Sequence, residues 1–126
     1  MYRNDAKRIA ICRPVALTAA AVLLSACSDR SPQIAQGLSL DFGETGQFDD
    51  RVRQRFPIGS SEEALVAELR REEFSIREVR EPDGPYRFSA TYDIHGFTCR
   101  DSWTIEWAVV HERIAMIQGV SRQICL

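Results

Sequence analysis

The sequence predicts an α+β domain in which two N-terminal helices pack on one face of a four-stranded antiparallel meander sheet. Three observations carry this expectation. Apolar residues recur at helical spacing from Phe48 to Leu69, and the period changes to two from Phe74 onward. Pro, Gly and Asp then separate the alternating runs, as turns between strands require. The order of elements, two helices before a run of strands, gives a two-layer architecture with the helices segregated to one side.

The first helix rests on "FDDRVRQRFPIG", where Phe48, Val52 and Phe56 fall at i, i+4 and i+8 on one face. Pro57 disfavours helical geometry at Phe56 and sets the stop. Arg51 and Arg55 lie on a different face, and Arg53 on yet another, which reads as a solvated surface. The second helix begins in "IGSSEEALVAELRREEF". Ser60 followed by Glu63 fits a capping box, and Glu62 and Glu63 suit the positive end of the helix dipole. Leu65 and Leu69 stack one turn apart, while Arg70 and Arg71 close the C-terminal end.

Four strands follow. "FSIREV" is the first, and "EPDGP" at 81–85 is the turn after it. In "YRFSATYDI", Tyr86, Phe88, Ala90, Tyr92 and Ile94 share a face, with Arg87, Ser89, Thr91 and Asp93 opposite. "HGFTC" breaks the alternation. "SWTIEWAVV" then puts Trp103, Ile105, Trp107 and Val109 on one face, and "IAMIQGVSRQIC" is the last strand.

The pairing of Cys99 with Cys125 can be tested by counting. If the last hairpin turns about Glu112, Cys99 sits across from Cys125, Trp107 across from Ile117 and Trp103 across from Ser121. Cross-strand partners stand within disulfide range. A two-residue turn at His111-Glu112 would instead set Ile124 opposite Cys99 and Met116 opposite Trp107. That tight turn lacks the Gly or Asn it favours, so the disulfide register is expected.

The start of the chain carries an address. Arg3, Lys7, Arg8 and Arg13 precede "VALTAAAVLL", an uncharged run from Val15 to Leu24. Such a run is too short to span a hydrocarbon core of about 30 Å and suits a signal-peptide apolar region. Leu24, Ser25, Ala26 and Cys27 then resemble the lipobox of bacterial lipoproteins. That resemblance implies cleavage before Cys27 and acylation of its thiol and new amine, with two or more acyl chains giving stable anchoring. The other reading is an ordinary signal peptide cut near Ala26. Ser28 in the position after the cysteine is compatible, by the same resemblance, with an outer-membrane destination facing the periplasm.

Three segments follow from this: a signal peptide at 1–26, a lipidated Cys27 with a flexible tether to 47, and a small domain at 48–126. The tether is rich in Ser, Gly, Gln and Pro, and as a coil would reach about 25 Å, or about 65 Å fully extended. An alternative lays residues 38–42 on the domain as an edge strand, because Leu38, Leu40 and Phe42 alternate with polar residues. Removing the signal segment takes four basic residues and one acid from totals of 16 and 18, leaving a net charge near −5. An acidic chain without a basic cluster points away from nucleic acid as a partner.

Gly59, Ser60, Leu65 and Leu69 in "FPIGSSEEALVAEL", behind a lipobox and tether, resemble the BamE-like (SmpA/OmlA) outer-membrane lipoproteins. The helix-then-meander order is also similar to β-lactamase inhibitor proteins. The resemblance covers about 15 residues, and "REEFSI" lacks the Gly-x-Pro that ends the family's helix. It implies a two-layer α+β domain and an envelope location.

No phosphate loop, nucleophile elbow or paired metal motif stands in the sequence. Asp93, His95 and Cys99 lie close in sequence but lack metal-ligand or nucleophile–base spacing, and a disulfide at Cys99 removes both uses. No catalytic residue, metal or cofactor is expected. Core packing against the helices is the expected explanation of the tryptophans, and the candidate binding surface, should a helix leave that end of the sheet open, is Trp103, Trp107 and His95. The expected function is that of a non-catalytic, lipid-anchored envelope protein that binds another envelope protein. The alternatives are a tethered inhibitor of a hydrolase, which would use "EPDGP" or "IHGFT" as a plug, and a small-ligand carrier with a cavity beneath the tryptophans.

Overall fold

The computed structural model describes residues 30–38, 40, 45–79 and 84–126. The expected signal segment, the expected lipobox residues Leu24, Ser25 and Ala26, and Cys27 lie outside the described residues, as do 81–83 of the first predicted turn. A 3-10 turn at Gln33–Ala35 precedes helices α1 (Thr45–Arg55) and α2 (Glu62–Arg71). Strands β1 (Ser75–Glu78), β2 (Phe88–His95), β3 (Cys99–Val110) and β4 (Arg113–Cys125) complete the order. They form one antiparallel sheet in sequence order, the expected meander.

The class is α+β, but the expected pair of N-terminal helices is corrected. Both helices lie in the middle of the chain, within 45–71. What precedes them is not simply a tether. Ile34 and Ala35 are buried in the core, and Leu38 and Leu40 pack against it without strand geometry. The small and polar composition of 28–47 concealed the core role of Ile34 and Ala35, while Leu38 and Leu40, which the edge-strand alternative lays on the domain, do pack against it. Phe42, the third residue of the alternative edge strand, lies outside the described residues.

The core fills the space between the helices and the sheet face that carries Ala90, Trp103, Ile105 and Trp107. Helix α1 inserts Phe48 and Val52 against β4 at Gly119, where an added Cβ would lie 2.8 Å from Val52 Cγ2. The missing side chain is what lets the helix approach. Asp49 Oδ1 accepts a hydrogen bond from the Gly119 N–H at 2.8 Å, which occupies a donor on the edge strand. Residues 59–62 cover the start of the same edge. Gly59 N–H donates to the Ile114 carbonyl, and Ile114 N–H donates back to Ser60.

Helix α2 is capped by Ser61, whose hydroxyl accepts from Ala64 N–H at 3.4 Å. The predicted Ser60–Glu63 box does not form, since Ser60 Oγ donates instead to the Pro57 carbonyl. The helix ends in a Schellman arrangement, with Phe74 N–H donating to Leu69 O and Glu73 N–H to Arg70 O. Glu73 takes the left-handed position, at φ 65°, that glycine usually fills.

The β3–β4 register joins both readings of the hairpin. Cys99 faces Cys125, Trp103 faces Ser121 and Trp107 faces Ile117. The turn nevertheless is the tight His111-Glu112 pair, with φ values of 50° and 63°. A bulge between Ala108 and Val109 adds one residue to β4 and restores the disulfide register.

Candidate functional site

The predicted surface of Trp103, Trp107 and His95 does not exist as one surface. Trp103 and Trp107 are 2% and 0% exposed. They project inward because they share the period-two face that the helices cover. Trp107 stacks on Phe88 at 5.6 Å, and its Nε1 donates to Glu62 Oε1 at 3.1 Å. Tyr92 meets Trp103 edge-on at 6.4 Å. Trp103 Nε1 is buried and finds no acceptor among the described residues. A shallow hollow of about 420 Å³ lies elsewhere, lined by Gln33, Ile34, Arg51, Gln54 and Arg55.

His95 is exposed at the end of β2, paired across the sheet with Arg100. Cys99 is bonded to Cys125, so it supplies neither a thiolate nor a metal ligand. Among the described residues no group of three His, Cys, Asp or Glu side chains could hold a metal ion. Asp93 is engaged by Arg100 at 2.7 Å, and that hydrogen bond holds its carboxyl below the ordinary value, with help from Ser102.

The loop after His95 is held at its base by backbone hydrogen bonds and the disulfide. Gly96 N–H donates to the Cys99 carbonyl at 2.8 Å, and a Cβ on Gly96 would lie 2.8 Å from that oxygen. Leu126 N–H donates to the Thr98 carbonyl at 2.9 Å, and the disulfide ties β3 to β4 beside it. Phe97 stands at the apex, 101% exposed.

The face of the sheet away from the helices is the second open surface. Thr91, Thr104 and Val120 form one row across it, with the threonine hydroxyls 3.4 Å apart. Glu106 accepts from Gln118 in the next row at 2.6 Å. Along β4, Met116 and Ile124 are exposed on this face, at 42% and 59%. Sequence reading passed over both. Their even positions, alternating with the buried Ile117, Gly119 and Ser121, were the available signal.

Arg53 is exposed as expected, paired with Asp49, but Arg51 and Arg55 are not a solvated face. Arg51 Nη1 donates to the carbonyls of Ile34 and Gln36, at 3.2 and 2.7 Å. Arg55 pairs with Glu68, and its Nη1 lies 2.9 Å from Glu72 Oε1. Glu72 Oε2 in turn accepts from the Ile34 N–H at 3.0 Å. These side chains fasten the 3-10 turn to both helices. The i, i+4 spacing of Arg51 with Arg55, and of Glu68 with Glu72, was a visible hint of that pairing.

No family model, curated protein or solved structure matches the chain. Among the described residues no helix is long and apolar enough to cross a membrane.

Proposed function

We propose that the protein is a lipid-anchored envelope protein, held by Cys27 at the outer membrane, whose domain binds another envelope protein without catalysing a reaction. The observation that carries this reading is the open outer face of the sheet, where Met116 is exposed to one side of the Thr91, Thr104 and Val120 row. A sheet face that carries Thr91, Thr104, Val120 and Met116 among the paired Glu106–Gln118 and Asp93–Arg100 side chains offers area with some apolar contact rather than a cleft for a small substrate. The lipobox residues supply the anchor, and the resemblance to BamE-like lipoproteins agrees with an envelope location.

The inhibitor reading keeps one specific support, the clamped loop that presents Phe97. The two readings are separated by crosslinking in intact cells, detergent extraction and identification of what co-purifies. An envelope protein recovered in near-equal amount, and lost on Met116→Glu, is the expected result. Recovery of a hydrolase that is lost on Phe97→Asp and kept on Met116→Glu overturns the binding-face reading in favour of the inhibitor.

A further inference from the structure

The end of the sheet at the β2–β3 turn gathers exposed apolar side chains next to the point where the chain enters the domain. Phe97 is 101% exposed, Leu126 108% and Ile124 59%. They are neighbours by register and hydrogen bonding. Ile124 pairs with Arg100, which pairs with His95, and Leu126 is bound to Thr98.

The chain is fastened from its first described residue. The Arg30 carbonyl accepts from Tyr92 Oη at 3.1 Å, Pro32 is buried, and the Ile34 N–H is held by Glu72. Only three residue steps separate Cys27 from Arg30, so their Cα atoms are at most about 11 Å apart. A domain anchored through Cys27 therefore stays close against the lipid.

Register decides which end faces the lipid. Tyr92 lies three residues from the end of β2, about 10 Å from the Phe97 turn. Its partner Trp103 lies seven residues from the end of β3, about 23 Å from the His111-Glu112 turn. The entry point is thus at the Phe97 half of the sheet. The second exposed apolar group, Ile58 with Val110 and Met116, lies toward the far end.

We infer that the β2–β3 tip, with Phe97 at its apex and Ile124 beside it, enters the lipid surface that holds Cys27; this rests on the lipid-anchor reading above. A phenylalanine on a loop held at its base loses little conformational freedom on insertion, and its ring suits the boundary between headgroups and acyl chains, about 5–10 Å deep. Arg122 is exposed on β4 within two residues of Ile124, where it meets the headgroup layer. Asp93, the nearest acid on the same face of β2, is already paired with Arg100. Insertion also points the Met116 end of the open sheet face away from the bilayer, toward a protein partner.

The test uses the full processed chain carrying Phe97→Trp, reconstituted in vesicles of phosphatidylethanolamine with a minority of phosphatidylglycerol, part of it brominated in the acyl chains. The parent, whose Trp103 and Trp107 are buried, is the background. The mass of the Cys27 peptide is read from the same sample. Expected are an acylated Cys27, a blue shift of the emission added at position 97, and its quenching by the brominated lipid while the parent stays unquenched. An acylated chain whose added emission remains water-like and unquenched overturns the tip proposal alone. A Cys27 peptide without acyl mass overturns the anchor reading and the proposal with it. Shielding of position 97 only when a protein partner is added assigns the loop to that partner and also overturns insertion.

Discussion

Gly119→Ala is the substitution that most sharply tests how the two layers meet. The new Cβ would lie 2.8 Å from Val52 Cγ2 and 3.0 and 3.1 Å from two atoms of the Phe48 ring. Favourable carbon contacts need about 3.5–4.0 Å. Val52 and Phe48 are 0% and 1% exposed, so neither has open space to move into. Overpacking of this kind costs about 1–3 kcal/mol, and replacing glycine by alanine in a strand recovers about 0.5–1 kcal/mol. The net loss expected is about 1–2 kcal/mol, read as a lower urea midpoint at unchanged slope. Thermal unfolding should fall by about 4–8 °C for each kcal/mol lost. Shortening Val52 to Ala removes the nearest clash, so Gly119→Ala should cost about 1 kcal/mol less in that background. A Gly119→Ala protein as stable as the parent, or an equal cost in both backgrounds, would refute the close docking of α1 on β4.

Four further outcomes follow from individual sites. Removing the disulfide by replacing Cys99 and Cys125 with alanine should cost about 3.5 kcal/mol for a closure of this length, separation 26, in equilibrium unfolding. Placing Asn-Gly at His111-Glu112, where both residues have positive φ, should stabilise by about 1 kcal/mol, and a loss would show that the turn tolerates its own residues better. Glu73→Gly should likewise gain about 0.5–1 kcal/mol, because the left-handed position at the end of α2 suits glycine. Glu68, held by Arg71 first and also by Arg55, has its carboxyl below the ordinary 4.5. Its contribution is therefore fully present above 4.5 and lost as pH falls through the lower folded value, and Glu68→Gln should flatten acid unfolding in that window.

The register of β3 on β4 was legible in its outcome, Cys99 across from Cys125, although counting left two registers and turn preference decided between them. The turn was not. Residue preference spoke against His111-Glu112, yet the chain takes that turn and absorbs the extra residue as a bulge. Ile114 and Ile117 carried the signal, since both are buried and three apart, a step that unbroken alternation forbids. The cap of α2 was misplaced by one because Ser60 and Ser61 are adjacent and only backbone geometry chooses between them. The role of 33–35 was hidden because composition describes a segment's average, whereas burial depends on Ile34 and Ala35 meeting an open end of the core. The candidate surface failed for a related reason. Alternation shows that Trp103, Ile105 and Trp107 share a face but not that the helices cover it. Once that is known, Met116, Ile124 and Phe97 become the exposed apolar positions and the tryptophans the core.

The central claim is that the open sheet face receives a protein partner while Cys27 holds the chain to lipid. A photo-crosslinking side chain placed at Met116 on that face, and in parallel at exposed Glu63 on helix α2, tests it most directly in intact cells. One envelope protein captured from position 116 and not from position 63 is the expected result. No adduct from 116, or the same adducts from both positions, would contradict it.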